Sequence, residues 1–286
     1  MRADPDHIPH LLALLDDPDP EVSQQVYQGL MAYGHQLEHL LTPYLEEIST
    51  ATQNRLFSWT KAIRHELFEA HWLEWLEVDR PYQAIEDALG WLGYLDSEWA
   101  SPLLGDVIDQ LSRRYQEQYA SSDVSNLMSF LFIKEGFMPP EKDYYHPRHS
   151  NLLTVVHRRR GLQISLGILA MLVGSRLGLK IEGFNMPGHF MVTTQAQGLR
   201  MIYDPFNQGQ ALPESAYAFL EQSLLLKQTS MVELRAKPHQ IILRVLSNLI
   251  NAHEHQQESE RAKFFVQRKQ EVISLLKQSQ GGGESF

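Results

Sequence analysis

The stretch "RRRGLQISLGILAMLVGSRLGL", residues 158–179, decides the fold, because it reads as a short basic turn that leads into an apolar helix. Two apolar strands follow it: "NMPGHFMV" (185–192) contains His189, and "RMIYDPF" (200–206) contains Asp204. Thiol-dependent acyl-transfer sites use this order, with a cysteine at the helix N-terminus, a histidine as its base and an acid that orients the imidazole. The chain, however, contains no cysteine. The sequence therefore predicts the frame of such a site and raises the question of which residue occupies the nucleophile position.

The residues around this stretch predict an α+β fold. Period-2 patterning predicts three antiparallel strands over 180–187, 189–196 and 199–206, with turns at Pro187–Gly188 and near Gly198. Helical spacing predicts helices on both sides of the strands, over 125–137, 150–159, 163–177, 213–221, 239–257 and 260–278. This order predicts a mostly helical chain with a small antiparallel sheet and helical N- and C-terminal segments.

The N-terminal segment has the pattern of a helical repeat. Asp19 is placed to cap a helix that begins at Pro20, where the missing N–H costs nothing. The stretch "LLALLDDPDPEV" (11–22) is similar to the turn between the helices of a HEAT repeat, and the resemblance covers about residues 6–48. One repeat cannot bury its own apolar face, so it must stack on the helices that follow. We therefore expect three segments: a HEAT-like segment over 1–120, a core over 121–225, and a C-terminal helical hairpin with a frayed tail over 226–286.

Composition excludes several classes of function. The chain has 286 residues, of which 43% are hydrophobic and 21% charged, as is usual for a globular protein. Its formal charge of −10 argues against nucleic-acid binding, which needs a clustered basic surface. No stretch approaches the roughly 20 uninterrupted apolar residues of a membrane helix, and "MRADPDHIPH" lacks the apolar core of a secretion signal. We expect a cytoplasmic protein that binds neither nucleic acid nor membrane.

Four motifs together resemble the transglutaminase-like superfamily, and specifically its SirB-type bacterial branch: "RRRGLQISL", "RLGL", "PGHF" and "DPFN". The likeness runs from about residue 136 to 207 and implies a papain-like core. Aligned without gaps on Gly161 and Gly178, it places the family's cysteine on Gln163, its histidine on His189 and its aspartate on Asp204. The thiol is commonly missing in that branch. The branch also often carries a tetratricopeptide-like segment at the position of the C-terminal hairpin, where the pattern here is degenerate.

Two residues at the start of the 163–177 helix are candidates for a role at the position of the missing thiol. Ser165 lies two residues after Gln163, which rotates its side chain by roughly 200° around the helix, and its hydroxyl is negligibly ionised near neutral pH. We therefore interpret Ser165 as a first-turn serine that bonds the helix backbone. Gln163 either donates and accepts hydrogen bonds toward a bound carbonyl or His189, or is a tolerated polar residue at an abandoned position.

The remaining candidates surround the histidine strand. His189 and Asp204 either form a pair that holds a ligand or moves a proton, or persist as a structural pair. Gly188 would allow a backbone or ligand to approach closely, and Asn185 and Arg160 complete the candidate binding residues. The arginine turn, residues 158–160, pairs with acids such as Asp143 or binds an anion.

Neither a metal nor a cofactor is expected. The histidine pairs with metal-like spacing, at positions 146 and 149 and at positions 253 and 255, lack a clear third ligand on the same face.

Three functions remain open at this point. The first is a non-catalytic transglutaminase-like module that binds a protein or peptide partner and regulates it. The second is a hydrolase or amide-processing enzyme that uses His189 and Asp204 with water or Ser165. The third is a helical scaffold whose sheet carries no site.

Overall fold

The computed structural model describes residues 4–97, 99–186, 188–196, 199–213, 215, 222 and 234–281. The chain divides into two compact units, one built from Met1–Glu74 and Gly90–Leu103, the other from Trp75–Leu89 and Leu104–Phe286. Pro187, the turn near Gly198 and most of the helix predicted over 213–221 fall outside the described residues.

The first unit contains α1 (Ile8–Ala13), α2 (Pro20–Met31), α3 (Leu37–Leu41) and α4 (Thr50–His71). The predicted helix start is confirmed, because the Asp19 carboxylate accepts the Glu21 N–H at 2.8 Å and Pro20 is the first helical residue. The apolar face predicted from the sequence lies inside this unit, where Ile8, Leu12 and Leu15 are buried.

The second unit carries the sheet and most of the remaining helices. Helix α5 (Pro81–Leu95) contributes residues to both units. The other helices are α6 (Leu104–Gln116), α7 (Val124–Ser129) with a π-helical turn (Phe130–Lys134), α8 (Leu152–Arg158), α9 (Gln163–Arg176), α10 (Pro238–His255) and α11 (Ser259–Gly281). In the described part of the chain, none of the helices combines the length and apolar character that crossing a bilayer requires.

The sheet is antiparallel, with strand order β1–β2–β3–β4: β1 (Glu182–Met186), β2 (His189–Ala196), β3 (Leu199–Asp204) and β4 (Gln210–Ala211). The three predicted strands are confirmed. The fourth, of two residues, is too short to produce a sequence period. The outer edge of β1 is covered by main chain, because the Asn185 N–H donates to the Leu234 carbonyl at 2.7 Å and the Ala236 N–H to the Gly183 carbonyl at 2.9 Å. The predicted α+β fold, mostly helical with a small antiparallel sheet, is confirmed.

Helix α9 is the core of the second unit, and all residues from Ile164 to Gly174 are buried. It packs on β2 through Gly167, where an added Cβ would lie 2.8 Å from the Phe190 ring. Gly174 meets Ile181, just before β1, so α9 runs alongside β2 and starts at the end of the sheet where β2 begins. Phe190 faces α9, whereas a separate cluster on the other side of the sheet contains Phe184, Met191 and Ile202.

Candidate functional site

His189 and Asp204 lie in contact at the end of the sheet. The His189 Nε2 lies 3.0 Å from the Asp204 Oδ2, and the two side chains are 28% and 20% exposed. The other carboxylate oxygen of Asp204 accepts the N–H groups of Phe206 at 3.0 Å and Asn207 at 3.3 Å, which fixes its orientation. In the neutral tautomer that carries its proton on Nε2, facing the carboxylate, Nδ1 offers a lone pair. Nδ1 has no hydrogen-bond partner among the described residues.

Gln163, the position that the resemblance assigns to the nucleophile, lies at the same end of the sheet. It is the first residue of α9, it is half-buried, and no side chain caps this N-terminus. Within the described residues, no hydrogen bond joins it to His189 or Asp204. The alternation of β2 supplies the reason, because His189 precedes Phe190, which faces α9, and leaves the strand on the other side.

Ser165 is part of the packing around the start of α9. Its side chain is 2% exposed, and its hydroxyl donates to the His149 carbonyl at 2.9 Å. The Leu162 N–H donates to the same carbonyl at 3.1 Å. The serine therefore bonds backbone, as predicted, but the backbone of a preceding turn rather than that of its own helix.

The hairpin between β1 and β2 contains two candidate binding residues. A third residue, which the sequence did not reveal, contacts the hairpin from α10. Gly188 is exposed with a φ of 75°, a conformation that favours glycine. The Asn185 side-chain oxygen accepts a hydrogen bond from Arg244 of α10. Arg244 was missed because one basic residue on an amphipathic helix usually indicates a solvated position. The apolar neighbours Val245 and Leu246, which are buried in the structure, are the sequence signal that Arg244 could lie near the core.

The arginine turn is held by acids, but not by the acid named from the sequence. Arg159 ends α8 with a left-handed φ of 59°, and its guanidinium lies 3.1 Å from Glu135, whose side chain is 3% exposed. Arg160 pairs with Glu141 at 3.6 Å. The prediction that Asp143 pairs with this turn is wrong, because Asp143 pairs with Arg148 at 3.4 Å. The turn positions α9 through ion pairs.

Of the two histidine pairs with metal-like spacing, the pair at 253 and 255 has other partners, and the rings at 146 and 149 lie close together. His253 lies 2.6 Å from Glu258, and His255 stacks on Tyr145. The rings of His146 and His149 are 6.2 Å apart, and burial lowers the pKa of both. In the described ranges, no three His, Asp or Glu side chains are grouped so that they could share a metal ion.

Comparison with known proteins gives one family and several relatives. A family model described as "Transglutaminase-like superfamily" matches residues 99–247. A "UPF0162 protein" of Xylella fastidiosa (strain Temecula1) is 34% identical over 173 residues, which cover 55% of this chain and 61% of that protein. A UPF0162 protein of Pseudomonas aeruginosa is 26% identical over 157 residues, which cover 52% and 56% of the two chains. The matched region thus spans about three fifths of the length of these relatives. No solved structure gives a significant match.

Proposed function

The chain belongs to the transglutaminase-like superfamily, and we propose that it is a non-catalytic member that binds a protein or peptide segment beside His189 and Asp204. We further place it in the SirB-type branch that lacks the cysteine, with a HEAT-like repeat and a cytoplasmic location. The observation that carries the proposal is an assembled His–Asp pair, 3.0 Å apart, in a chain without cysteine.

The geometry of the pair supports binding rather than thiol chemistry. In a thiol enzyme the histidine must reach the residue at the helix start, yet His189 leaves β2 on the side opposite Phe190, which packs on α9. The Nδ1 of His189, without a partner in the described residues, is a ready acceptor for a peptide N–H. Both side chains keep part of their surface exposed, so a ligand can reach them.

The helical segments supply the second argument. Repeat-like helices stack into extended surfaces that commonly bind proteins. The first unit has a buried core of its own, which includes Leu30, Leu41 and Leu56. A binding module joined to such a unit fits a regulatory role better than it fits turnover of a small substrate.

The test joins a binding measurement to an activity measurement on the purified full chain. Peptides selected from a displayed library would be measured by fluorescence anisotropy against the protein, His189→Ala, and His157→Ala as an exposed control on α8. We expect His189→Ala to weaken binding about tenfold, the effect of one lost hydrogen bond of about 1.4 kcal/mol, and His157→Ala to leave it unchanged. Selected peptides that bind equally well to His189→Ala would overturn the proposal.

One observation favours a second candidate, a hydrolase that activates water. A histidine oriented by an aspartate and carrying a free ring nitrogen is the arrangement of a general base. Ser165 takes no part in this version, because its hydroxyl is bonded to the His149 carbonyl. Turnover of ester, amide or thioester substrates that disappears in His189→Ala and survives in Ser165→Ala would establish this candidate in place of the binding module.

A further inference from the structure

Arg244 of α10 reaches the hairpin between β1 and β2. Its Nη1 donates to the side-chain oxygen of Asn185, to the Met186 carbonyl at 3.3 Å and to the His189 carbonyl at 3.4 Å. The guanidinium carbon lies 5.6 Å from the centre of the Phe190 ring. One nitrogen of the group therefore ties the helix to the turn that precedes the candidate site.

Among the described residues, no neighbouring acid neutralises the charge of Arg244. Burial lowers the pKa of Arg244, and the titratable group that opposes this effect is the phenol of Tyr144. No carboxylate among the described residues lies within ion-pair distance of it. Arg176, in contrast, lies 2.7 Å from both Glu86 and Asp109. A half-buried guanidinium without a counter-ion is costly unless a ligand supplies one.

The donors of Arg244 that remain are those that suit a carboxylate. Nε and Nη2 form the side-on edge of a guanidinium, which binds both oxygens of a carboxylate through parallel hydrogen bonds. Neither atom has an acceptor in the described part of the chain, and neither belongs to the buried polar atoms that lack a partner. The two donors are therefore not fully enclosed by the described residues.

Tyr144 lies close enough to Arg244 for the two groups to interact electrostatically, and Tyr145 follows it in the chain. Tyr144, whose pKa is influenced by Arg244, is 41% exposed, and Tyr145 is 51% exposed. The Tyr145 ring stacks on His255, which is also on α10, with ring centres 4.9 Å apart. Exposed tyrosines give a ligand apolar contact area at a small cost in side-chain entropy.

We propose that Arg244 anchors a carboxylate-binding site, in which its Nε and Nη2 hold one carboxylate of a peptide. The inference rests on the proposed function for the position of the rest of the peptide, but not for the carboxylate contact itself. The carboxylate belongs either to the C-terminus of the peptide or to an aspartate or glutamate side chain.

The contact is tested with acetate, the smallest probe of this chemistry. In a titration of the full chain followed by NMR of arginine Nε–H groups, we expect the Arg244 signal to shift saturably. Arg244→Lys keeps the charge but lacks the fork, and should bind acetate at least tenfold more weakly. Arg113→Lys, an exposed position on α6, should bind like the unchanged protein. The titration of the unchanged protein needs no variant, so a variant that unfolds does not remove the test.

The same titration separates this inference from the proposed function. Absence of a saturable shift, or equal binding by Arg244→Lys, would overturn the carboxylate site, even if selected peptides still depend on His189. Acetate binding at Arg244 without any His189-dependent peptide would support the site and overturn the proposed function. Amidation of the C-terminus of a selected peptide then identifies the source: loss of affinity assigns the terminal carboxylate, and retained affinity assigns an acidic side chain.

Discussion

At the His189–Asp204 pair, polar atoms stay within reach of solvent, whereas at the start of α9 they are enclosed. The two side chains of the pair are 28% and 20% exposed, and one ring nitrogen is left without a partner among the described residues. At the start of α9, Ser165 is 2% exposed and His149 is 3% exposed. The Ser165 hydroxyl and the Leu162 N–H both donate to the His149 carbonyl.

This difference in solvent exposure suggests different roles for the His189–Asp204 pair and for the start of α9, which lie in the same unit. The start of α9 uses its hydrogen-bonding groups for packing, and burial lowers the pKa of the His149 ring, which has no well-aligned hydrogen bond in the described residues. At the pair, one ring nitrogen has no partner among the described residues. Under the proposed function, the frame keeps the side that orients a ligand, while the side that would attack it is structural.

The largest expected effect is a loss of stability when the contact between α9 and β2 is disturbed. In Gly167→Ala the new methyl group would overlap the Phe190 ring at 2.8 Å, between α9 and β2. We expect a loss of about 2 kcal/mol in the free energy of unfolding, measured by urea denaturation, because overpacking outweighs the gain in helix propensity. Gly90→Ala on α5, with no atom within 4 Å, is the matched control and should gain about 1 kcal/mol. Equal stability of the two variants would contradict the tight contact of α9 with β2.

A thiol introduced at the start of α9 measures whether the two regions reach each other. In Gln163→Cys the helix N-terminus should lower the pKa of the thiol from about 8.5 to about 7.5, so alkylation at pH 7 should be about tenfold faster than in Gln195→Cys on β2. The chain has no other cysteine, so the rate reports this site alone.

Addition of His189→Ala to Gln163→Cys sharpens the comparison. Because His189 leaves β2 on the side opposite α9, we expect the alkylation rate to change less than twofold. A tenfold fall would mean that the imidazole does contact the thiol, and would favour a catalytic interpretation of the frame.

The last prediction concerns the pH dependence of stability that His149 produces. Burial is the largest cause that lowers the pKa of His149 and Arg148 adds to it, while the Arg160 carbonyl opposes them. The unfolded chain takes up a proton below pH about 6.5 and the folded chain does not, so stability is lost as the pH falls through this range. Between pH 7.5 and 5.5, His149→Gln should lose about 1 kcal/mol less than the unchanged protein in urea denaturation. An identical loss in both proteins would show that His149 does not resist protonation.

The elements of the fold were predictable because their patterns are local. The alternation over 180–206 predicts β1, β2 and β3, and an uninterrupted apolar run predicts that α9 is buried. The contact between His189 and Asp204 follows from the resemblance, which fixes their order and spacing. The structure shows that these two side chains meet, but what they bind stays a prediction.

The contacts that the sequence did not reveal are those between distant segments. Whether Asp143 or Glu135 pairs with the arginine turn depends on how the loop over 139–146 lies, and no local pattern encodes this. Arg244 reaches Asn185 across 59 residues of sequence. The sequence also could not predict that Ser165 bonds the His149 carbonyl, because that carbonyl belongs to a separate turn.

The strip of main chain at 234–236 that pairs with β1 has a practical consequence. A shortened version that stops before Leu234 would leave the backbone groups of Gly183 and Asn185 unpaired along an open strand edge. Open edges recruit strands from other molecules. Such a fragment would be expected to self-associate, because it would lack the strip that covers this edge in the full chain.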